Sequence, residues 1–453
     1  MKQIDFTAGS IPKSIITFSI PVFLGQLLQL FYNLADTWVI GNYANNDAFA
    51  AVSSTGTIIF LIVGFFGGMA TGGTVVISRF YGAKENGRIP VSIHTAMALG
   101  IIASAAATVL GLVLTPLILR IIDTPASVLP YARTYLTVYF AGVGTVVLYN
   151  ICMSVMRAVG DSLHPLYYLI LSSLLNVALD LLFVAHPAFQ WGVFGAAFAT
   201  VISQGVSLIA CMIHMMHMDE PCRLHFSRLK IDPPIAHTIL RLGIPAGIQN
   251  IVITLGNIVI QKNINAFGAK AMAGQGAYIK IEGFVFLPIQ CMSLALPTSI
   301  SANLGARRFD RAKKAAGFGV AAGVLMSVLI GILFYFTAPQ LIGIFVKDRQ
   351  SIELGVSYAR VTTRFYCLLA LAHCSAGVMR GCGKAVVPMA NMLAFWCVFR
   401  ILFVTAAVRI RPVFSTIAWS YPVTWGLSCI VFVYFLTRTD WVHNFEKKGR
   451  GNS

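Results

Sequence analysis

Apolar stretches of membrane-spanning length follow one another along almost the whole of this chain, and nothing else constrains its fold as strongly. From Ser14 to Ile40 the only charged side chain is Asp36. About 20 apolar residues wound as a helix cross a hydrocarbon core roughly 30 Å thick, where the backbone must satisfy its own hydrogen bonds. The pattern predicts about twelve spans, near residues 15–38, 52–77, 93–119, 133–156, 165–185, 192–214, 239–262, 274–300, 315–338, 358–379, 386–407 and 416–437. Little chain remains for a soluble domain. Of 453 residues, 57% are hydrophobic and 11% charged, against about 25% charged in an average soluble domain. The first run is of full spanning length and lacks a small-residue cleavage site, so it is read as helix one rather than a signal peptide, with the mature chain starting near Met1.

A formal net charge of +17 raises the question of nucleic acid, but in a membrane chain the distribution of Lys and Arg carries more meaning than their total. Basic residues gather at Lys2 and Lys13, at Arg79, Lys84 and Arg88, at Arg157, along 223–241, along 307–314, at Arg380 and Lys384, and in the tail 438–450. With twelve spans these segments share one side. The intervening loops 39–51 and 186–191 carry no Lys or Arg, although Lys347, Arg349, Arg409 and Arg411 dilute the contrast. Basic loops stay cytoplasmic, so both termini are expected there, in a plasma membrane protein without a nucleic-acid partner.

Most of the nine cysteines, among them Cys152, Cys211, Cys291, Cys367, Cys374, Cys397 and Cys429, fall in or at the ends of spans, where a thiol is a small apolar filler. No disulfide framework is expected. In HMMHMDEPCRLH, His214, His217, Cys222 and His225 have irregular spacing for a metal. The segment reads better as a basic cytoplasmic loop, and no metal or other cofactor is expected.

The chain repeats itself at a nearly constant offset. Ile20-Pro21 returns as Ile244-Pro245 and Asn33 as Asn257, both 224 residues later. Gly82-Ala83-Lys84 returns as Gly305-Ala306-Arg307, and MRAVGDSLHP (156–165) as MRGCGKAVVP (379–388), both at 223. Six spans per repeat is even, so the halves enter the bilayer in the same sense and a pseudo-two-fold axis should lie along the membrane normal. The expected fold is an all-α integral membrane protein of two six-helix bundles: an N-terminal lobe 1–214, a cytoplasmic inter-lobe loop 215–238, and a C-terminal lobe 239–453 with a short tail. This is a transporter's plan, in which a site between the halves is exposed to each side in turn. FFGGMATGG (65–73) lets helices approach closely, and Pro288 and Pro297 bend the eighth span.

A lone acid at the centre of a spanning helix costs about 2.5–3.5 kcal/mol, so Asp36 needs a partner or a task. Gln29, Tyr32 and Asn33 lie seven, four and three residues before it, which at 3.6 residues per turn forms a polar stripe expected to face protein. In the fifth span Asn176 and Asp180 are four apart, with Ser172 and Ser173 on the same face; the sixth adds Thr200, Ser203, Gln204 and Ser207. Counting about 1.5 Å of rise per residue places Asp36, Asp180 and Thr200 in the outer half of the membrane.

At these residues the chain resembles the multidrug and toxic compound extrusion (MATE) transporters. The resemblance covers nearly the whole chain and includes IPVFLGQLLQLFYNLADT, RFYGAKENG, MRAVGD and LLNVALD. It implies that Asp36, Asn176, Asp180 and Thr200 form the first lobe's cation-coupling site, with Gln29, Tyr32, Asn33 and Gln204 in support, exchanging H⁺ or Na⁺ for an exported compound. Two acids in a low-dielectric pocket resist joint ionisation, so one takes a proton or a Na⁺ neutralises the pair through oxygen ligands. The second half departs from this pattern. Asp36 aligns with Ile260, the seventh and tenth spans hold no Asp or Glu, and Lys280, Glu282 and Arg400 stand within spans instead. Glu282 is a candidate for the substrate cavity, or for a pair with Arg400 or Lys262.

The expected function is ion-coupled antiport of amphipathic, cationic organic compounds across the lipid bilayer by a monomer. A flippase for lipid-linked saccharides shares the wider superfamily's fold, but such proteins hold pyrophosphate with several internal bases, which the first six spans nearly lack. An intramembrane aspartyl protease would resemble its kind in Tyr-Asp and Gly-x-Gly-Asp pairs; here Asp36 follows Ala35 and Asp180 follows Leu179. No GxxxxGK[ST] loop for ATP occurs. The protein is therefore read as a carrier and not as an enzyme.

Overall fold

Apolar stretches that cannot leave a peptide group unpaired become helices, and the computed structural model, which describes residues 3–443, is built of them. Its helices are α1 (Ile11–Tyr43), α2 (Asn46–Ala83), α3 (Arg88–Ile121), α4 (Leu129–Ala158), α5 (Leu163–Asp180), α6 (Gly192–Met216), α7 (Pro233–Asn265), α8 (Ala269–Gly305), α9 (Phe309–Phe345), α10 (Arg349–Thr363), α11 (Tyr366–Gly381), α12 (Val386–Met392), α13 (Arg400–Ile410) and α14 (Phe414–Arg438). A π-helical turn, Leu181–Ala185, continues α5, and another, Leu393–Phe399, joins α12 to α13. Among the described residues, 11 helical segments are long and apolar enough to cross a membrane. The span expected at 358–379 is the exception, because its helix is broken between α10 and α11 at Arg364 and Phe365. Arg364 leaves the apolar interior there to donate from Nη2 to the Tyr335 hydroxyl at 2.8 Å. Lys2 and the basic tail beyond His443 lie outside the described residues.

The repeat is visible in the backbone. Lys84 and its counterpart Arg307 are both left-handed, with φ of 57° and 55°, and Gly160 and its counterpart Gly383 have φ of 84° and 79°. Lys84 closes α2 by donating its N–H to the carbonyls of Phe80 and Tyr81. These matched turns terminate helices at corresponding points in each half.

The chain folds as two compact units whose boundaries differ from the lobes expected at 1–214 and 239–453. One comprises the residues up to Ile4 together with Ile20–Gly247; the other comprises Asp5–Ser19 and the chain from Ile248 onward. In the first unit, a Cβ added at Gly68 would stand 2.6 Å from the Ala246 carbonyl oxygen, and one at Gly72 would collide with the Ile239 carbonyl. Only glycine lets α2 and the first part of α7 approach so closely. The segment 215–238, expected to link the lobes, packs on α3: Asp232 N–H donates to Thr95 Oγ1 at 3.1 Å and His225 N–H to His94 Nε2 at 3.0 Å. In the second unit, the carbonyls of Phe6, Gly9 and Ala8 accept from the Arg311 guanidinium at 2.9, 2.8 and 2.6 Å. Three charge-assisted hydrogen bonds to peptide oxygens explain why a segment so early in the chain folds with the later half.

Candidate cation-coupling site

In the first unit the four residues singled out from the sequence converge. Asn176 and Asp180 lie one turn apart on α5, both 0% exposed, and Thr200 on α6 faces them at 4%. Asp36, half-buried on α1, meets the Asp180 carboxyl directly. Asn176 bridges the group. With its amide nitrogen toward the acid it donates to Asp180 Oδ2 at 3.0 Å while its oxygen accepts from the Thr200 N–H at 3.2 Å; the other amide orientation donates to Thr200 Oγ1 at 3.3 Å. The surrounding donors and acceptors favour the first of these. Thr200 Oγ1 donates to the Ala196 carbonyl at 3.1 Å.

Two carboxylate oxygens, Asp36 Oδ1 and Asp180 Oδ1, are buried without a hydrogen-bond partner. Ionised carboxylates only accept hydrogen bonds, so two that meet away from water require a proton or a cation between them. The helix ends here in a π-helical turn, Leu181–Ala185, a feature frequent at functional sites.

The supporting residues divide. Tyr32 is half-buried and its hydroxyl stands beside the Thr200 side chain. Gln204 donates to Ser172 Oγ at 3.0 Å and Ser207 to the Tyr168 carbonyl at 2.9 Å, stitching α6 to α5. Gln29 and Asn33, however, are exposed, contrary to the expectation that the whole stripe faces protein. At 100° per residue the stripe is about 100° wide; Tyr32 and Asp36 form its inner edge, Gln29 and Asn33 its outer one. Sequence reading missed Tyr135 and Tyr139 on α4, which are 5% and 7% exposed and lie in the field of Asp36. Their four-residue spacing was the available signal, but tyrosines in spanning helices are too common for it to stand out.

The histidine-rich segment does not gather its own residues. His225 pairs with Glu220 at 2.9 Å, while His214 turns to Asp161 and His164, whose ligand atoms and its own lie within 4.8 Å of one another. Burial pushes the Asp161 carboxyl up, but His214 and the backbone and ring of His164 outweigh it and hold the group below the usual carboxylate range. In the second unit Glu282, half-buried on α8, accepts from the Tyr278 hydroxyl at 2.6 Å and stands in the field of Arg400.

These features define a multi-pass membrane protein with a carboxylate pair buried among the helices of one unit. The chain belongs to the MatE family, whose profile matches residues 21–182 and 245–405, and with it to the MATE multidrug efflux transporters. It is similar to the "Probable multidrug resistance protein YoeA" of Bacillus subtilis, at 28% identity over 85% of each chain. It is also similar to the "Probable multidrug resistance protein NorM" of Thermotoga maritima, at 25% identity over 85% of this chain and 83% of that relative. Its fold matches that of a MATE crystallised in complex with MaL6, with a TM-score of 0.90 and 20% identity over 99% of this chain and 100% of the other.

Proposed function

We propose that the protein is an ion-coupled antiporter of the plasma membrane, with both termini cytoplasmic, that exports amphipathic, cationic organic compounds by alternating access. Asp36, Asn176, Asp180 and Thr200 are its coupling site, for H⁺ or Na⁺. The observation that carries this reading is the pair of buried, partnerless oxygens on two touching carboxyls. A proton satisfies them by turning one acid into a donor, and a Na⁺ does so by accepting carboxylate, amide and hydroxyl oxygens as ligands. Entry of the ion draws on the membrane potential, about 2.3 kcal/mol per charge per 100 mV. No ATP loop is required.

Liposomes holding the purified protein under an imposed pH or Na⁺ gradient test the assignment. Asp36→Asn and Asp180→Asn should each abolish gradient-driven efflux while leaving insertion and folding intact, because the amide keeps shape and loses the exchangeable charge. Normal coupled efflux by a well-folded double variant would remove the basis for this site. A panel of dyes and drugs in the same vesicles identifies the substrate class, with neutral and anionic compounds expected to be poor substrates.

A further inference from the structure

The repeat, followed through the structure, maps the first unit's site onto a second set of residues. From Gly82 and Gly305 to Pro165 and Pro388 the halves keep an offset of 223. The π-helical turn Leu393–Phe399 comes next in the second half, and a π turn takes up one residue more than an α turn. Beyond it the offset is 224, so that Asn176 corresponds to Arg400 and Asp180 to Val404; past the first half's own π turn, Leu181–Ala185, and the loop after it, Thr200 is matched to Thr424 by hydrogen bonding rather than by offset. On α1 and α7, also at 224, Asp36 corresponds to Ile260; on α4 and α10, at 223, Tyr135 corresponds to Tyr358. Hydrogen bonding supports the same register. In its favoured orientation the Asn176 amide oxygen accepts from the Thr200 N–H at 3.2 Å, and Arg400 donates to Thr424 Oγ1 from Nε at 3.1 Å and from Nη2 at 2.7 Å, so that each side chain engages the matched threonine. Each threonine in turn donates to the carbonyl four residues back, Ala196 at 3.1 Å and Ser420 at 2.8 Å.

The chemistry of the second set is inverted. Both carboxylate positions hold buried apolar side chains, Ile260 and Val404, while the amide position holds a guanidinium that is 2% exposed. That guanidinium lies 4.5 Å from the Tyr421 ring centroid and 5.3 Å from that of Trp396. Glu282 supplies a negative field and has no acidic counterpart in the first half, where Ile58 and Ile59 stand at the two offsets. A hydroxyl oxygen, two aromatic faces and a nearby carboxylate are the surroundings a small monovalent cation would seek. Here the cation is part of the chain.

We propose that the second unit contains a degenerate copy of the cation pocket, in which the Arg400 guanidinium is a tethered cation standing where an exchangeable one would bind. The protein then exchanges ions through the first unit alone, and removal of the Arg400 side chain opens a site for a free monovalent cation, best filled by guanidinium. The inference rests on reading Asp36 and Asp180 as the first unit's cation site.

The test uses the full chain with Asp36→Asn and Asp180→Asn, which silence the first unit, and measures equilibrium binding of radiolabelled guanidinium and Na⁺. The silenced protein should bind neither above background. Adding Arg400→Ala should give one bound guanidinium per protein, and adding Thr424→Val should remove it again. Absence of guanidinium and Na⁺ binding by a folded Arg400→Ala protein overturns the proposal. Arg400→Lys keeps a tethered charge and should bind no guanidinium; binding equal to that of the alanine variant also overturns it. If Arg400→Ala does not survive extraction, millimolar guanidinium during extraction should restore a monodisperse protein, and failure to do so counts against the inference. Failure of the first-unit reading shows separately, as coupled efflux that persists in the Asp36→Asn, Asp180→Asn protein.

Discussion

Asp36 and Asp180 share a chemistry but not an environment. Asp180 is 0% exposed and held by Asn176, whereas Asp36 is half-buried and sits on the helix that also presents the exposed Gln29 and Asn33. In the proposed site the ion therefore meets Asp36 first and settles against Asp180. Asn176 aligns the second carboxylate for this transfer, and Asn176→Leu leaves Asp180 Oδ2 without its donor. Losing a hydrogen bond to a buried charged group costs about 1.5–3 kcal/mol, which corresponds to a loss of about 10- to 150-fold in ion affinity. The measurement is the ion concentration at half-maximal efflux in liposomes; an unchanged value would mean that Asn176 only packs. Tyr135→Phe and Tyr139→Phe should shift the same quantity less, since neither hydroxyl is among the groups bonded to the carboxylates.

Among the helices, two local departures from α-geometry matter most. The π-helical turn after Asp180 ends the regular part of the fifth span at the site, and the turn Leu393–Phe399 resets the register of the second half. Neither is visible in hydropathy, because an inserted residue of apolar character leaves the run unchanged. The packing of α2 on the first part of α7 is the converse case, signalled by FFGGMATGG and found in the structure. Gly72→Val places a branched side chain against the Ile239 carbonyl. Overpacking of this kind costs about 1–3 kcal/mol, and the variant should show a lower melting temperature in detergent than Gly56→Val, where the added Cβ has nothing within 4 Å. Equal melting temperatures would place α2 and α7 farther apart than described.

For the molecule as a whole, the orientation argued from Lys and Arg predicts that reporters fused after Lys230 and after Ser453 both read cytoplasmic; an external reading at either would overturn the even span count or the placement of the basic loops. Hydropathy alone determined the solvent and the helical class, because hydrocarbon forces the backbone to bond with itself; recurring motifs revealed the repeat, and the four candidate coupling residues came from their likeness to the MATE transporters, on helices where any acid or amide is conspicuous. Tertiary structure alone decided three further matters. It assigned residues 5–19 to the unit of the later half and 233–247 to that of the earlier half, through guanidinium bonds to peptide oxygens and glycine contacts between segments far apart in sequence. It divided the polar stripe of α1 into an inner and an outer edge, since helix rotation is set by what packs beside it. And it brought Arg400 onto Thr424, because a one-residue insertion in a π turn rotates every later side chain by about 100°, a change of direction that composition and spacing do not record.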